Sequence, residues 1–131
     1  MQPNTHLSID PQLCGSVVTL SEGRAIVQLQ THPRLAADAH GLVHGGFVFG
    51  LADYAAMLAV NEPDVVLGSA SVRFTAPVRA GELVVAEAHI TEQSGRKHTA
   101  EVTARVGERT VFTGTFVAFV LDGHVLGGDG D

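Results

Sequence analysis

Asp53 is the only charged residue in the run Phe47-Val-Phe-Gly-Leu-Ala-Asp-Tyr-Ala-Ala-Met-Leu-Ala-Val60. A helix that is apolar on every face is a buried helix. Burying a carboxylate costs several kcal/mol unless it is hydrogen-bonded, paired or left facing a cleft. A chain that retains Asp53 there is expected to use it, as a nucleophile or as the base that activates a water. Directly before this run stands His44-Gly45-Gly46. The first amides of a helix lack intrahelical partners, and the helix dipole adds positive potential there. Without side chains to shield them, the amides of Gly45 and Gly46 suit an oxyanion or a polarised carbonyl. Carbonyl polarisation and a carboxylate are the two halves of acyl-transfer chemistry.

The spacing adds a constraint. Eight residues separate Gly45 from Asp53, roughly 12 Å along one helix. A reacting carbonyl needs both groups within about 3–3.5 Å. One copy of the helix cannot supply both, but two antiparallel copies can. An enzyme built on this pattern would be a homodimer with shared sites.

Other candidates have plainer readings. A helix Asp taken alone more often caps a neighbour or faces solvent, and Gly45-Gly46 could be only a tight loop. His40 and His44 have the four-residue spacing of metal ligands on a helix. Gly41 between them and the loop they occupy argue against a metal. The remaining histidines, His6, His32, His89, His98 and His124, show no ligand clustering and are expected at the surface. Tyr54 and Met57 read as core or dimer packing. Arg96 and Lys97 lie in a predicted hairpin, where a solvated turn is the ordinary reading and contact with a phosphate the sharper one.

The elements around these residues follow from periodicity. In 24–30, Ala25, Val27 and Leu29 alternate with polar residues, as in a half-buried strand. Residues 1–22 are weakly patterned and 31–43 read as a loop. The helix spans about 46–60, with Asn61 as its C′ residue and Pro63 preventing continuation. Gly50 inside it costs about 1 kcal/mol against Ala, which points to a close backbone approach. Period-two patterns follow at 69–76, 82–91, 97–106 and 109–121, with short Gly-bearing connections after the second and third. The expectation is an α+β domain: a strand, a helix, then four strands in an antiparallel meander wrapped around the helix. Its core covers about 16–121, and 122–131 is a Gly- and Asp-rich tail expected to fray.

Bulk properties bound the function. The 131 residues suit one domain, and 45% hydrophobic with 17% charged residues describes a globular chain. A net charge of −6 with eight Lys plus Arg argues against nucleic-acid binding. Cys14 is alone, so an internal disulfide and a thiolate metal cluster are excluded. The N-terminus lacks a basic segment followed by an apolar one, so no signal peptide is expected. The longest apolar run is too short to span a bilayer. These features predict a cytoplasmic protein without membrane contact.

The segment Gly41-Leu-Val-His-Gly-Gly-Phe-Val-Phe-Gly-Leu-Ala-Asp-Tyr-Ala55 resembles the His-Gly-Gly…Leu-Ala-Asp motif of hotdog-fold acyl-CoA thioesterases. The closest type is the phenylacetate-pathway and 4-hydroxybenzoyl-CoA branch. Arg73-Phe-Thr-Ala-Pro-Val-Arg-Ala-Gly-Glu82 resembles that family's strand and turn after the helix. The likeness covers about residues 24–120. It implies a hotdog fold, an acyl-CoA substrate, no cofactor, and a homodimer or homotetramer. By the same resemblance, the Gly45 amide polarises the thioester carbonyl and Asp53 acts across the dimer interface. His44 would orient the loop and Gly46 would assist. By residue type, Phe47, Phe49 and Met57 suggest an apolar substrate pocket, though the same residues would fill an ordinary core, and Arg96 and Lys97 would meet a coenzyme A phosphate on the sharper reading of their hairpin. Many members have Asn where this chain has Asp38, and a second carboxylate there would raise the Asp53 pKa or change what is bound. An assisting hydroxyl is implied after the helix, at Ser69 or Ser71.

Three alternatives remain. A non-catalytic acyl-CoA-binding protein fits the same features. A hotdog repressor is disfavoured because no DNA-binding segment accompanies the domain. A hotdog dehydratase is disfavoured because no matching His lies near the helix acid.

Overall fold

A computed structural model describes residues 1–127. Its elements run α1 (Pro11–Cys14), β1 (Ser16–Ser21), β2 (Arg24–Gln30), a 3-10 turn (Pro33–Leu35), α2 (Gly45–Val60), β3 (Val65–Phe74), β4 (Leu83–Ser94), β5 (Lys97–Val106) and β6 (Arg109–Val120). The six strands form one antiparallel sheet in the order β1-β2-β4-β5-β6-β3. The sheet curls around α2, which packs chiefly on β4, β2 and β5. This is the hotdog fold.

Alternation decides which faces meet. Ala25, Val27 and Leu29 of β2, Val84, Ala86 and Ala88 of β4, and Ala100, Val102 and Ala104 of β5 are buried. Small alanines on three neighbouring strands let the sheet approach the helix closely. On α2, Val48, Leu51, Ala52 and the whole run Tyr54–Ala59 are buried. Asn61 ends the helix in the left-handed conformation (φ 55°, ψ 42°), and its amide donates to the Met57 carbonyl at 2.8 Å.

Four expectations need correction. The region 16–21 is a strand, β1, although its pattern is weak, because it is an outer strand and most of its residues are exposed. The meander has three strands, not four: β4, β5 and β6 run consecutively, while β3 pairs with the far side of β6. A β3–β4 pairing would leave β6 as an edge with two apolar faces. Placing β3 there covers β6 and makes β3 the exposed edge. Third, among the described residues of one chain Gly50 meets no close backbone, since a Cβ built there has nothing within 4 Å. Fourth, His6 is half-buried and lies over Tyr54, with ring centroids 6.0 Å apart. Residues 124–127 form a turn, in which the Gly127 amide donates to the His124 carbonyl at 2.8 Å. The rest of the expected tail, 128–131, lies outside the described residues.

Candidate active site

The loop before α2 is held from both sides. The Val43 amide donates to the Val78 carbonyl and the Ala80 amide to the Gly41 carbonyl, each at 2.8 Å. The His44 amide donates to the Leu35 carbonyl at 2.9 Å. Beneath the loop, buried Thr31 organises the turn at 79–82. Its hydroxyl donates to the Glu82 carbonyl at 2.6 Å and accepts from the Gly81 amide at 3.0 Å. Rigid support of this kind keeps the first amides of α2 aimed in one direction.

His44 is the N-cap residue, yet its side chain makes no capping bond. The amides of Gly45 and Gly46 have no acceptor among the described residues. A Cβ on Gly45 would lie 3.2 Å from the Phe74 ring, and one on Gly46 would lie 3.0 Å from the His44 ring. Both glycines therefore keep the helix entrance free of side chains. His44 is exposed and sits edge-on to Phe47, with ring centroids 6.0 Å apart. A cavity of about 350 Å³ opens at Gly45, walled by Phe74, Val78 and Val111.

Asp53 lies two turns further along α2. Gly46, Gly50 and Asp53 follow at intervals of four and three, so they share one helix face. This face is the part of α2 that the sheet leaves uncovered. The Asp53 Oδ1 atom is itself shielded from solvent and has no hydrogen-bond partner among the described residues. Burial pushes the Asp53 pKa up to about 6. Cys14, at the end of α1, is near enough for the Asp53 charge to raise its own pKa, after burial and Asp10.

The structure separates the other candidates. Asp38 is exposed, and its Oδ1 accepts from the His40 amide at 2.9 Å and the Leu42 amide at 3.2 Å. It thus closes the 38–42 loop, and the upward shift of Asp53 comes from burial instead of from this second carboxylate. Ser69 and Ser71 are exposed on the edge strand β3. Phe47 is half-buried beside His44. Arg96 pairs with Asp122, and Lys97 begins β5 next to it. Their hairpin adjoins the C-terminal end of α2: the Arg96 carbonyl accepts from Val120, whose neighbour Leu121 donates to Asp64. Within one chain they stand at the opposite end from Gly45. His40 and His44 are both exposed, and among the described residues no three His, Cys, Asp or Glu side chains group as metal ligands.

Residue-by-residue reading overlooked a basic cavity next to the helix entrance. It measures about 400 Å³ and contains His40, Arg79, Glu82 and Arg109. Arg79 was within reach, because it sits in the recognisable Pro77–Glu82 turn. Arg109 carried no signal, since only the pairing of β6 with the turn brings it there.

A curled antiparallel sheet wrapped on one long helix defines a hotdog protein. The chain belongs to the thioesterase superfamily, whose family model matches residues 40–113. An uncharacterized protein of Pyrococcus horikoshii, PH1136, is similar at 50% identity and a TM-score of 0.95, covering 96% of this chain and 97% of that one. A variant of the phenylacetic acid degradation protein PaaI from Thermus thermophilus is similar at 32% identity and a TM-score of 0.76, covering 83% and 95%. Among curated proteins, methylthioribose-1-phosphate isomerase of Aquifex aeolicus is 46% identical over 93% of this chain and 27% of its own length. Transcription factor FapR of Shouchella clausii is 32% identical over 90% of this chain and 63% of its own length. The chain thus spans less than two thirds of either curated relative. Among the described residues no helix is long and apolar enough to cross a membrane.

Proposed function

We propose that the protein hydrolyses an acyl- or aryl-CoA thioester to the free acid and coenzyme A. The observation that carries this reading is the Asp53 carboxylate, whose shielded Oδ1 has no hydrogen-bond partner among the described residues, on the same helix as two open amides. The Gly45 amide accepts the thioester oxygen and stabilises the negative charge that develops on it. Asp53, ionised above its pKa of about 6, attacks the carbonyl or takes a proton from the attacking water. The thiolate of coenzyme A leaves.

The 12 Å that separate the two groups on one helix, roughly, require a second copy of the chain. The partner's helix runs antiparallel, so each site combines the amide of one protomer with the acid of the other. A homodimer, or a homotetramer of two such dimers, is the working assembly. The reading places the protein in the cytoplasm, where coenzyme A thioesters are used. His44 steadies the helix entrance, and Phe47 borders the acyl group.

Likeness to a transcription factor favours a second reading, in which the same site binds an acyl-CoA without cleaving it. A panel of short, long and aromatic acyl-CoAs, followed by released thiol, separates the two. Hydrolysis is expected for at least one member, with kcat lowered about a hundredfold or more in Asp53→Asn. Full activity in Asp53→Asn would remove the carboxylate from the mechanism. Tight acyl-CoA binding with no thiol release would establish the second reading.

A further inference from the structure

The N-terminal segment crosses the molecule as a strap. It is tied to the exit of α2, where the Asn4 amide donates to the Asn61 Oδ1 at 2.7 Å and the Asn61 Nδ2 donates to the Gln2 carbonyl at 3.1 Å. It ends at Asp10, whose carboxylate caps α1 by accepting from the Gln12 amide at 2.9 Å. α1 in turn packs on α2, with Leu13 and Cys14 against the core. Midway between these anchors, His6 lies on α2. Its ring stacks on Tyr54, with centroids 6.0 Å apart and planes at 28°.

His6 is held there against two costs. Its φ of 56° is left-handed, a conformation worth about 1 kcal/mol of strain in an L-residue. Its half-buried ring also has a specific protonation state to keep. The ring Nδ1 lies 2.8 Å from the Thr5 hydroxyl oxygen, and buried Thr5 has no other side-chain partner among the described residues. A neutral ring with its proton on Nε2 accepts from that hydroxyl. A protonated ring is a donor at both nitrogens. It would reverse the bond and strand the Thr5 hydroxyl proton in a buried place, at about 1–3 kcal/mol.

Nothing nearby offsets a charge on the ring. The cavity beside it, about 240 Å³, is faced by Tyr54 of α2, Pro11 of α1, and Ser16 and Val17 of β1. Tyr54 is the only other titratable side chain on its wall. Asp10 is exposed and engaged by Gln12, and among the described residues no carboxylate pairs with His6. Burial accordingly pushes the His6 pKa down. A strap lifted into water binds the proton more tightly than the closed one. The histidine contribution to closure is therefore complete above the ordinary value of 6.5 and is lost as pH falls through the closed-state value.

We propose that residues 2–10 are an acid-released strap: neutral His6 closes them over Tyr54, and protonated His6 lifts them from α2. Release uncovers Tyr54, the neighbour of Asp53 along the helix.

The chain carries its own probe, because Tyr54 is its single tyrosine and it has no tryptophan. Quenching of Tyr54 emission by acrylamide, which is uncharged, reads how open the ring is at each pH. In wild type the quenching constant should rise about twofold or more between about pH 7.5 and pH 5, the range in which a histidine takes up its proton. His6→Asn tolerates the left-handed backbone and stays neutral, so it should show no rise, whatever its starting level. His6→Lys, charged throughout, should already be open at the higher pH. Asp53→Asn should keep the wild-type rise, since it removes the adjacent group that titrates in the same range. A flat wild-type profile overturns the proposal. So does a full rise in His6→Asn, a closed ring in His6→Lys at the higher pH, or loss of the rise in Asp53→Asn. A rise that tracks loss of helical circular dichroism, or whose midpoint moves with protein concentration, is unfolding or subunit dissociation and overturns it likewise.

Discussion

Asp53 is stabilised as an acid and destabilised as an anion. Its folded pKa of about 6 stands above the ordinary value of 3.8, because burial removes water from the charged form. The folded state therefore holds its proton more tightly than the unfolded chain does. Below about pH 4 the group is neutral in both states and costs nothing. Through the window from about 4 to 6 stability falls as pH rises, and above 6 the whole cost, about 3 kcal/mol, is present. Asp53→Asn should consequently be more stable than wild type in urea at pH 8, with the gain shrinking toward zero at pH 4. An equal gain at both pH values would show that packing, not charge, is responsible. On the proposed mechanism, which uses the ionised form, kcat/KM of the wild type should rise with pH along a limb centred near 6.

Gly45 poses a complementary residue-scale question. A Cβ there meets the Phe74 ring at 3.2 Å, a contact the half-exposed ring can relieve by small movement. Gly45→Val should therefore fold, with its thermal midpoint lowered by a few degrees. Its turnover should fall by about a hundredfold or more, the scale for loss of an oxyanion donor. Unchanged turnover in the folded variant would remove the amide from the mechanism.

At the scale of elements, α2 is fastened at both ends by different devices. Its entrance is set by loop 41–43 pairing with 78–80. Its exit is set by Asn61, which adopts φ 55° and also holds the N-terminal segment. The Asn61 Oδ1 accepts from the Asn4 amide at 2.7 Å, and Nδ2 donates to the Gln2 carbonyl at 3.1 Å. Two replacements separate these roles. Asn61→Gly keeps the left-handed backbone at no steric cost and loses only the side-chain bonds. Asn61→Ala loses both. Chemical denaturation should show Asn61→Ala less stable than Asn61→Gly by about 1 kcal/mol, the scale of left-handed strain in an L-residue. Equal stability would mean that the latch, not the backbone conformation, is what Asn61 contributes.

At the scale of the molecule, the chain leaves two features uncovered that a second copy would complete. One is the Gly46–Gly50–Asp53 face of α2, and the other is the long edge strand β3. An exposed edge with Phe74 at 54% exposure is the kind of surface that natural sheets cover or pair. Subunit exchange tests the shared site. Inactive Gly45→Val and inactive Asp53→Asn are mixed and allowed to exchange. Each heterodimer then has one site with both defects and one wild-type site, so activity should return. No recovery after exchange verified by mass spectrometry would sink the cross-dimer arrangement.

Local pattern was enough for the helix, its Asn61 stop and the inward faces of β2, β4 and β5. Each depends on spacing within a few residues, through helical period, strand alternation and turn chemistry. Long-range choices were not written in that way. The weak pattern of Ser16–Ser21 hid an outer strand, because an exposed strand has no need to alternate. Periodicity made β3 a strand but could not say whether β4 or β6 would take it. The doubly apolar β6 required a neighbour on its open side, and that demand exists only once the sheet is assembled. The same holds at the site. His44, Gly45 and Asp53 are close in sequence, so a local motif is enough to make them the proposed site. Arg79 and Arg109 are thirty residues apart, and Glu82 ties them together only because β6 returns beneath the turn. Within one chain, the sheet places Ser69 and Ser71 on the edge strand β3 and Arg96 and Lys97 toward the C-terminal end of α2, positions that residue type alone does not specify. Local chemistry follows from residue type and spacing, whereas the company a side chain keeps is decided by which surfaces the folded chain must cover.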